Sequence, residues 1–329
     1  MTPVNPDLVR RVTMAVITRL QQSAPAGEPT SLAAPSSTSS AGPAALPPQL
    51  VPIPANAVSP PTLSIDEAKS LICTIGTRIW QRGYCAGNDG NLSIRIAPDC
   101  VLCTPTGVSK GFMTPAMICL VDLDGKQVES IAPSSPWKRT SEILLHLAIY
   151  RQRPDVHAVI HAHPPHATAF AVAGFTLPDA VHPEADFLLG KVPLVEYIQT
   201  GKPQLGVRVA EVITPETIAV ILANHGVVCL HTELTEAYHR LEVLENYCRM
   251  LLLLKQLEQV RRLSAAEFRE LLELKASYGI ADSRLPAARA GHDVRTASAF
   301  LQSIHPTPGS AGEWETLIDQ VIQEVNGLT

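Results

Sequence analysis

No stretch of this chain is apolar for long enough to cross a bilayer, which sets aside a membrane-spanning protein. No cluster of lysine and arginine stands out against a formal charge of −5 and a pI near 6.1, so a nucleic-acid footprint is absent too. Cysteine is sparse and irregular. The seven residues are odd in number and scattered through apolar stretches, the pattern of reduced, buried thiols in a cytosolic compartment rather than of a disulfide framework. Cys100 and Cys103 form a C-x-x-C, but no second pair completes a zinc knuckle, and they read as strand and turn packing. The N-terminal segment does not read as a secretory signal. Its apolar run is interrupted by threonines and closed by Arg19, and no small-residue cleavage site follows closely.

What is present is 329 residues, 46% of them hydrophobic, enough for one sizeable domain with extras. Composition divides the chain. Residues 23–61, with SAPAGEPTSLAAPSSTSSAGPAALPPQ, are too rich in Pro, Ala and Ser to order themselves, and 281–311 look similar. Between these two linkers lies a continuous globular pattern over 62–280. Each linker carries an amphipathic segment at its far end. In 1–22, Asn5 suits an N-cap, Pro6 a first helical position, and Leu8, Val9, Val12, Val16 and Leu20 form a stripe. In 312–329, Trp314, Leu317, Ile318, Val321, Ile322 and Val325 do the same. Helices this short are marginal alone in water and need a partner surface. The second carries Glu313, Glu315, Asp319 and Glu324 without lysine or arginine, which makes an anionic membrane a poor partner.

The 62–280 pattern alternates strands and helices. Ser64 and Glu67 form a capping box ahead of the first helix. Strands follow at 92–97 and 100–105, a helix over 140–154 ended by Pro154, a strand at 158–163, a helix over 164–174, an apolar strand running into a turn within 215–226, and a long helix over 233–260. This predicts an α/β sandwich around a mainly antiparallel sheet, because the strands at 92–104 are hairpin-spaced.

Three histidines draw attention. In VIHAHPPH, His161 and His163 lie at i and i+2 near the end of a strand, where side chains share one face. A hydrogen-bonded pair or a metal site would both explain them. In AVILANHGVV, His225 follows another apolar strand and precedes Gly226, where the backbone can turn sharply. Together they make a three-imidazole set that leaves one or two coordination positions open to a substrate.

At this point several motifs fall in a shared order: GNLSIR at 90–95, TPTG at 104–107, TSE at 140–142 with LLHLAIYRQRPD after it, HAH at 161–163 and NHG at 224–226. In this the chain resembles the class II aldolase/adducin family, most of all its L-fuculose-phosphate aldolase branch, over essentially all of 62–280. The resemblance implies a class II aldolase-like α/β/α sandwich. It implies Zn2+ as cofactor, held by His161, His163 and His225, with Glu142 as a resting ligand that becomes the catalytic base. It places Asn91, Thr106, Gly107, Thr140 and Ser141 around the substrate's phosphate, and Tyr278, in LKASYGI, as proton donor to the aldehyde oxygen. The implied reaction is cleavage of L-fuculose 1-phosphate or L-rhamnulose 1-phosphate to dihydroxyacetone phosphate and lactaldehyde, in a homotetramer with interfacial active sites. The tethered terminal helices resemble encapsulation peptides that bind the shell proteins of a bacterial microcompartment in the cytoplasm.

Each role has a physical basis and a plainer reading. Amides of a glycine-containing turn, with hydroxyls, can hold a phosphate without lysine, yet Gly90-Asn91 and TPTG are also ordinary turn sequences. Glu142 could be only a first-turn acid favoured by the helix dipole, and Tyr278 a surface aromatic before a glycine cap. Two departures from the family pattern stand out: His182 where the aldolases carry a further active-site tyrosine, and Thr140 where serine is usual. Epimerases, decarboxylases and dehydratases of the same family, and a non-catalytic adducin-like scaffold, are the alternatives.

Overall fold

The computed structural model describes residues 63–128, 136–296 and 298–304. The terminal helices expected at 1–22 and 312–329, the linker at 23–61 and the last residues of the 281–311 linker lie outside the described residues. Helix α1 (Ile65–Gln81) begins where the sequence places it. The Ser64 hydroxyl accepts from the Glu67 amide, the Glu67 carboxylate takes the Ser64 amide at 2.8 Å, and the stripe Ile72, Ile75, Ile79 is buried.

Seven strands form one sheet: β1 (Asn91–Ala97), β2 (Cys100–Cys103), β3 (Cys119–Asp122), β4 (Ala158–Ala162), β5 (Leu194–Val195), β6 (Ala219–Leu222) and β7 (Gly226–His231). Their spatial order is β3-β2-β1-β4-β7-β6-β5, and every neighbouring pair is antiparallel except β5–β6. The mainly antiparallel sheet is therefore as expected. The period-2 alternation of the strands divides the core in two. Leu92, Ile94, Ile160, Val227 and Cys229 pack on α1, α3 (Pro165–Ala173) and α6 (Leu234–Leu257). Val101, Val159, Val228 and Leu230 pack on α2 (Ile143–Gln152) and α5 (Pro203–Val212). Helices cover both faces, an α/β/α sandwich. No described helix is long and apolar enough to cross a membrane, and the seven cysteines are free thiols.

The remaining helices are α4 (Pro183–Leu188), α7 (Ala265–Ser277), α8 (Leu285–Arg289) and α9 (Ala299–Gln302), and the last two overturn the linker expected at 281–311. Residues 281–304 are packed onto the domain. Phe300 enters the main core beside Phe170, ring centroids 4.8 Å apart, and Leu285 and Ala288 join Phe268 and Leu272 in a small core of their own. Buried Arg284 bonds Asp282 at 2.7 Å and Asp179 at 3.0 Å, while Lys275 takes Asp282 at 2.9 Å. An Ala/Pro/Ser-rich composition hides this because few apolar residues are needed when Leu285, Ala288 and Phe300 are buried and the buried Arg284 is neutralised on site.

Removing Arg284 alone leaves three carboxylates facing each other out of water. Breaking a buried ion pair from one side costs about 3–5 kcal/mol. Arg284→Leu is expected to lose that much stability in urea unfolding.

Candidate active site

The site starts from the register of β4. His161 pairs across from Asn91 of β1 and from Val228 of β7, and it shares the face of Val159. Strand β4 ends at Ala162, so His163 stands one residue beyond, its amide bonded to the Tyr84 carbonyl at 2.9 Å. On the other side, β6 and β7 form a hairpin in which Leu222 pairs with Gly226. The loop is Ala223, Asn224, His225, and Asn224 takes the left-handed conformation (φ 57°) that asparagine tolerates. Gly226 must lack a side chain, because a Cβ there would sit 2.6 Å from the Ala162 carbonyl oxygen and 2.4 Å from His163 Cδ2. That close approach delivers His225 to the end of β4.

The three rings meet at their Nε2 atoms. His161 Nε2 lies 3.0 Å from that of His163 and 3.2 Å from that of His225, and no two of the ligand atoms are more than 4.8 Å apart. Zinc bound tetrahedrally by imidazoles separates its nitrogens by about 3.3 Å, so two of the three spacings already match. Nδ1 of His161 faces the Val227 carbonyl at 2.9 Å. A carbonyl only accepts, so that nitrogen carries the proton and Nε2 presents a lone pair. Burial, reinforced by the neighbouring rings, holds His161 well below the usual imidazole range; burial lowers His225 as well, against the pull of Glu142. Neutral imidazole is the ligand form.

Glu142 stands at the N-cap of α2, yet its carboxylate caps nothing. It turns to the histidines, Oε2 at 3.5 Å from His161 Nε2 and Oε1 at 3.6 Å from His225 Nε2. Oε1 is buried and has no hydrogen-bond partner. Lone pairs converging on one point, with an orphaned carboxylate oxygen beside them, are the donor set of a divalent cation, and these four residues fit one.

A cleft of about 460 Å³ opens beside the cluster, with His163, His225 and Glu142 on its wall. Thr106, Gly107, Thr140 and Ser141 border the same cleft, and Gly107 adopts a positive φ of 73°. Asn91 borders it too, but its amide is engaged: Nδ2 donates to Glu142 Oε2 at 2.8 Å and Oδ1 meets His146 Nε2 at 2.6 Å. One Nδ2 hydrogen remains for a ligand. Tyr278 is not brought to the cleft of its own chain. It ends α7, is about half exposed, stacks edge-on against Phe187 at 5.7 Å, and is followed by residues that line a separate cavity of about 410 Å³. His182 caps α4, with Nδ1 facing the Ala185 amide at 3.4 Å. Sequence reasoning missed Asp89, whose carboxylate lies 3.3 Å from His163 Nδ1, and the Thr200-Gly201 turn on the cleft wall. It also missed His146, although Glu142 and His146 at i, i+4 share a helix face.

Fold and site together define the class: an α/β sandwich that gathers three imidazoles and a carboxylate at the end of its central strands. The chain belongs to the class II aldolase and adducin family, whose N-terminal domain profile, "Class II Aldolase and Adducin N-terminal domain", matches residues 70–252. It is 37% identical to an L-fuculose phosphate aldolase of Methanococcus maripaludis over 172 residues, 52% of this chain and 89% of that one. It is 33% identical to a 3-oxo-tetronate 4-phosphate decarboxylase of Escherichia coli over 201 residues, 60% of this chain and 91% of that one. A solved L-fuculose 1-phosphate aldolase, 26% identical, superposes with a TM-score of 0.56 over 63% of this chain and 95% of its own.

The hairpin's tightness is open to measurement. Forcing a methyl group into a packed site costs about 1–3 kcal/mol. Gly226→Ala is expected to lose that much in urea unfolding of the metal-free protein, whereas Gly279→Ala, whose Cβ would meet no atom within 4 Å, tests the separate cost of a positive φ.

Proposed function

We propose that this protein is a zinc-dependent aldolase that cleaves a ketose 1-phosphate, L-fuculose 1-phosphate or L-rhamnulose 1-phosphate, to dihydroxyacetone phosphate and lactaldehyde. The observation that carries the reading is the partnerless Glu142 Oε1, set 3.6 Å from His225 Nε2 on the wall of a polar cleft. Zn2+ bound by His161, His163, His225 and Glu142 would supply Lewis acidity, drawing electron density from the ketone as the neighbouring bond breaks. The chain's own groups do the rest. Thr106, Gly107, Thr140 and Ser141 hold the phosphate through amides and hydroxyls. Glu142, which would also help to hold the zinc, carries the proton that the dihydroxyacetone phosphate carbon gains in cleavage and loses in condensation. Tyr278 serves the aldehyde oxygen, and since it stands away from its own cleft, it acts at a neighbour's site in a homotetramer.

A second reading is supported by the decarboxylase relatives, of which the Escherichia coli protein matches 60% of the chain against 52% for the Methanococcus maripaludis aldolase. Loss of carbon dioxide beside a ketone uses the same donors and the same charge stabilisation. Products separate the two. Zinc-loaded protein given a panel of ketose 1-phosphates and 3-oxo-acid phosphates is expected to release dihydroxyacetone phosphate with an aldehyde. Carbon dioxide without aldehyde would establish the decarboxylase, and a chain that takes up no zinc an adducin-like scaffold. Glu142→Gln is expected to lower kcat by about 10²–10⁴-fold.

The amphipathic sequences at 1–22 and 312–329 address the enzyme to the shell proteins of a microcompartment, where a reactive aldehyde product is retained. Deleting both is expected to abolish co-sedimentation with shell proteins while leaving turnover intact; unchanged co-sedimentation counts against this address.

A further inference from the structure

Behind Glu142 runs a file of buried polar groups that the proposed chemistry does not use. Glu142, His146 and Tyr150 recur every fourth residue from the N-cap of α2 along one helix face, and Asn91 and Ser93 alternate along one face of β1. The two faces are hydrogen-bonded together. Asn91 Nδ2 lies 2.8 Å from Glu142 Oε2, Asn91 Oδ1 lies 2.6 Å from His146 Nε2, His146 Nδ1 lies 2.7 Å from Ser93 Oγ, and Ser93 Oγ lies 2.7 Å from the Tyr150 hydroxyl. Ser93 and His146 are wholly buried, Tyr150 is 1% exposed and Asn91 4%.

The direction of every bond follows from the two ends. An ionised carboxylate only accepts, so Asn91 turns its NH2 to Glu142 and its oxygen to His146. That oxygen also only accepts, so His146 carries its proton on Nε2, and its bare Nδ1 must take the Ser93 hydroxyl proton. Ser93 Oγ is then left to accept from Tyr150. At the far end the Tyr150 hydroxyl also meets the carbonyls of Ser93 and His157, which cannot donate to it, and the backbone of Val159, whose amide donates to the phenol oxygen and leaves the Tyr150 proton for Ser93 Oγ. The file is a single one-way series of donors ending on the carboxylate. Burial pushes the His146 imidazole down to about 3, against the pull of Glu142, so the ring stays neutral and the series is not broken by an added proton.

We infer that His146 is a positioning residue: by donating from Nε2 to Asn91 it locks the Asn91 amide, and through that amide it holds the Glu142 carboxylate turned toward the three imidazoles. Without it the buried Asn91 Oδ1 loses its donor, and the amide is held in place only by the carboxylate that it orients. The inference rests on the reading of Glu142 as metal ligand and base, and it adds a residue that touches neither metal nor substrate. Removing a partner that orients a ligand typically costs about 10–100-fold in metal affinity or activity.

His146→Met keeps the volume and removes both ring nitrogens, while His146→Gln keeps an amide N–H for Asn91. Zinc affinity of the full chain, measured by competition with a chelating dye, is expected to fall about tenfold or more in His146→Met and by less than about threefold in His146→Gln. The kcat should follow the same order, with KM for the sugar phosphate changing less than kcat. Where His146→Met does not fold, Ser93→Ala decides in its place, since it removes the donor that holds His146 in its tautomer; zinc affinity equal to wild type in that variant overturns the inference. So does a folded His146→Met that matches wild type in zinc affinity and kcat, or a His146→Gln that is no better than Met. A wild type that neither takes up zinc nor cleaves any sugar phosphate overturns the functional reading, and the inference falls with it.

Discussion

The site depends on the register of one short strand. β4 is five residues long, all of them buried, and it lies between β1 and β7 with Asn91 opposite His161 on one side and Ala162 opposite Val227 on the other. Its side chains alternate between two cores, so a slip of one residue would expose apolar groups to the polar cleft and drive His161 into the α1–α6 side. Register is thus enforced by burial on both faces. The same pairing supplies the Val227 carbonyl that takes the His161 Nδ1 proton and leaves the other nitrogen as a lone pair. Packing, tautomer and ligand direction come from a single set of strand contacts.

Buried polar groups are treated in two opposite ways in this molecule. Around Arg284, carboxylates and cations are matched until each has a partner, and the result is a clamp that fastens 281–304 to the domain. At the end of β4 the matching stops one group short. His161 and Glu142 are oriented from behind by a carbonyl and an amide, but Glu142 Oε1, set toward His225 Nε2, is left buried without a donor. Buried charges that each have a partner hold structure; a buried set left without one is prepared to receive a cation.

Much of the domain was legible from residue order. The Ser64–Glu67 box, the apolar strand with histidines at i and i+2, and the Asn-His-Gly turn each report local geometry, and local geometry is what hydrophobic period and capping chemistry encode. Members of one cleft, Thr106, Gly107, Thr140 and Ser141, were legible only through the resemblance, because nothing in a turn sequence states which other turn it will face. The C-terminal segment was misread for a related reason. Its composition is that of a tether, and only the placement of Arg284 among Asp179, Asp186 and Asp282, residues some hundred positions apart in part, turns it into a packed element.

Sequence alone singled out the candidate histidines, the strand and turn that carry them, and the alternation that sends two of them the same way. Tertiary structure decided that the third joins them, that the Asn91 amide serves Glu142 and His146, and that Tyr278 stands away from the cleft of its own chain. The division is physical. Period and capping act over a few residues, whereas convergence of side chains depends on strand register, on the close approach that Gly226 permits, and on which buried donor finds which acceptor.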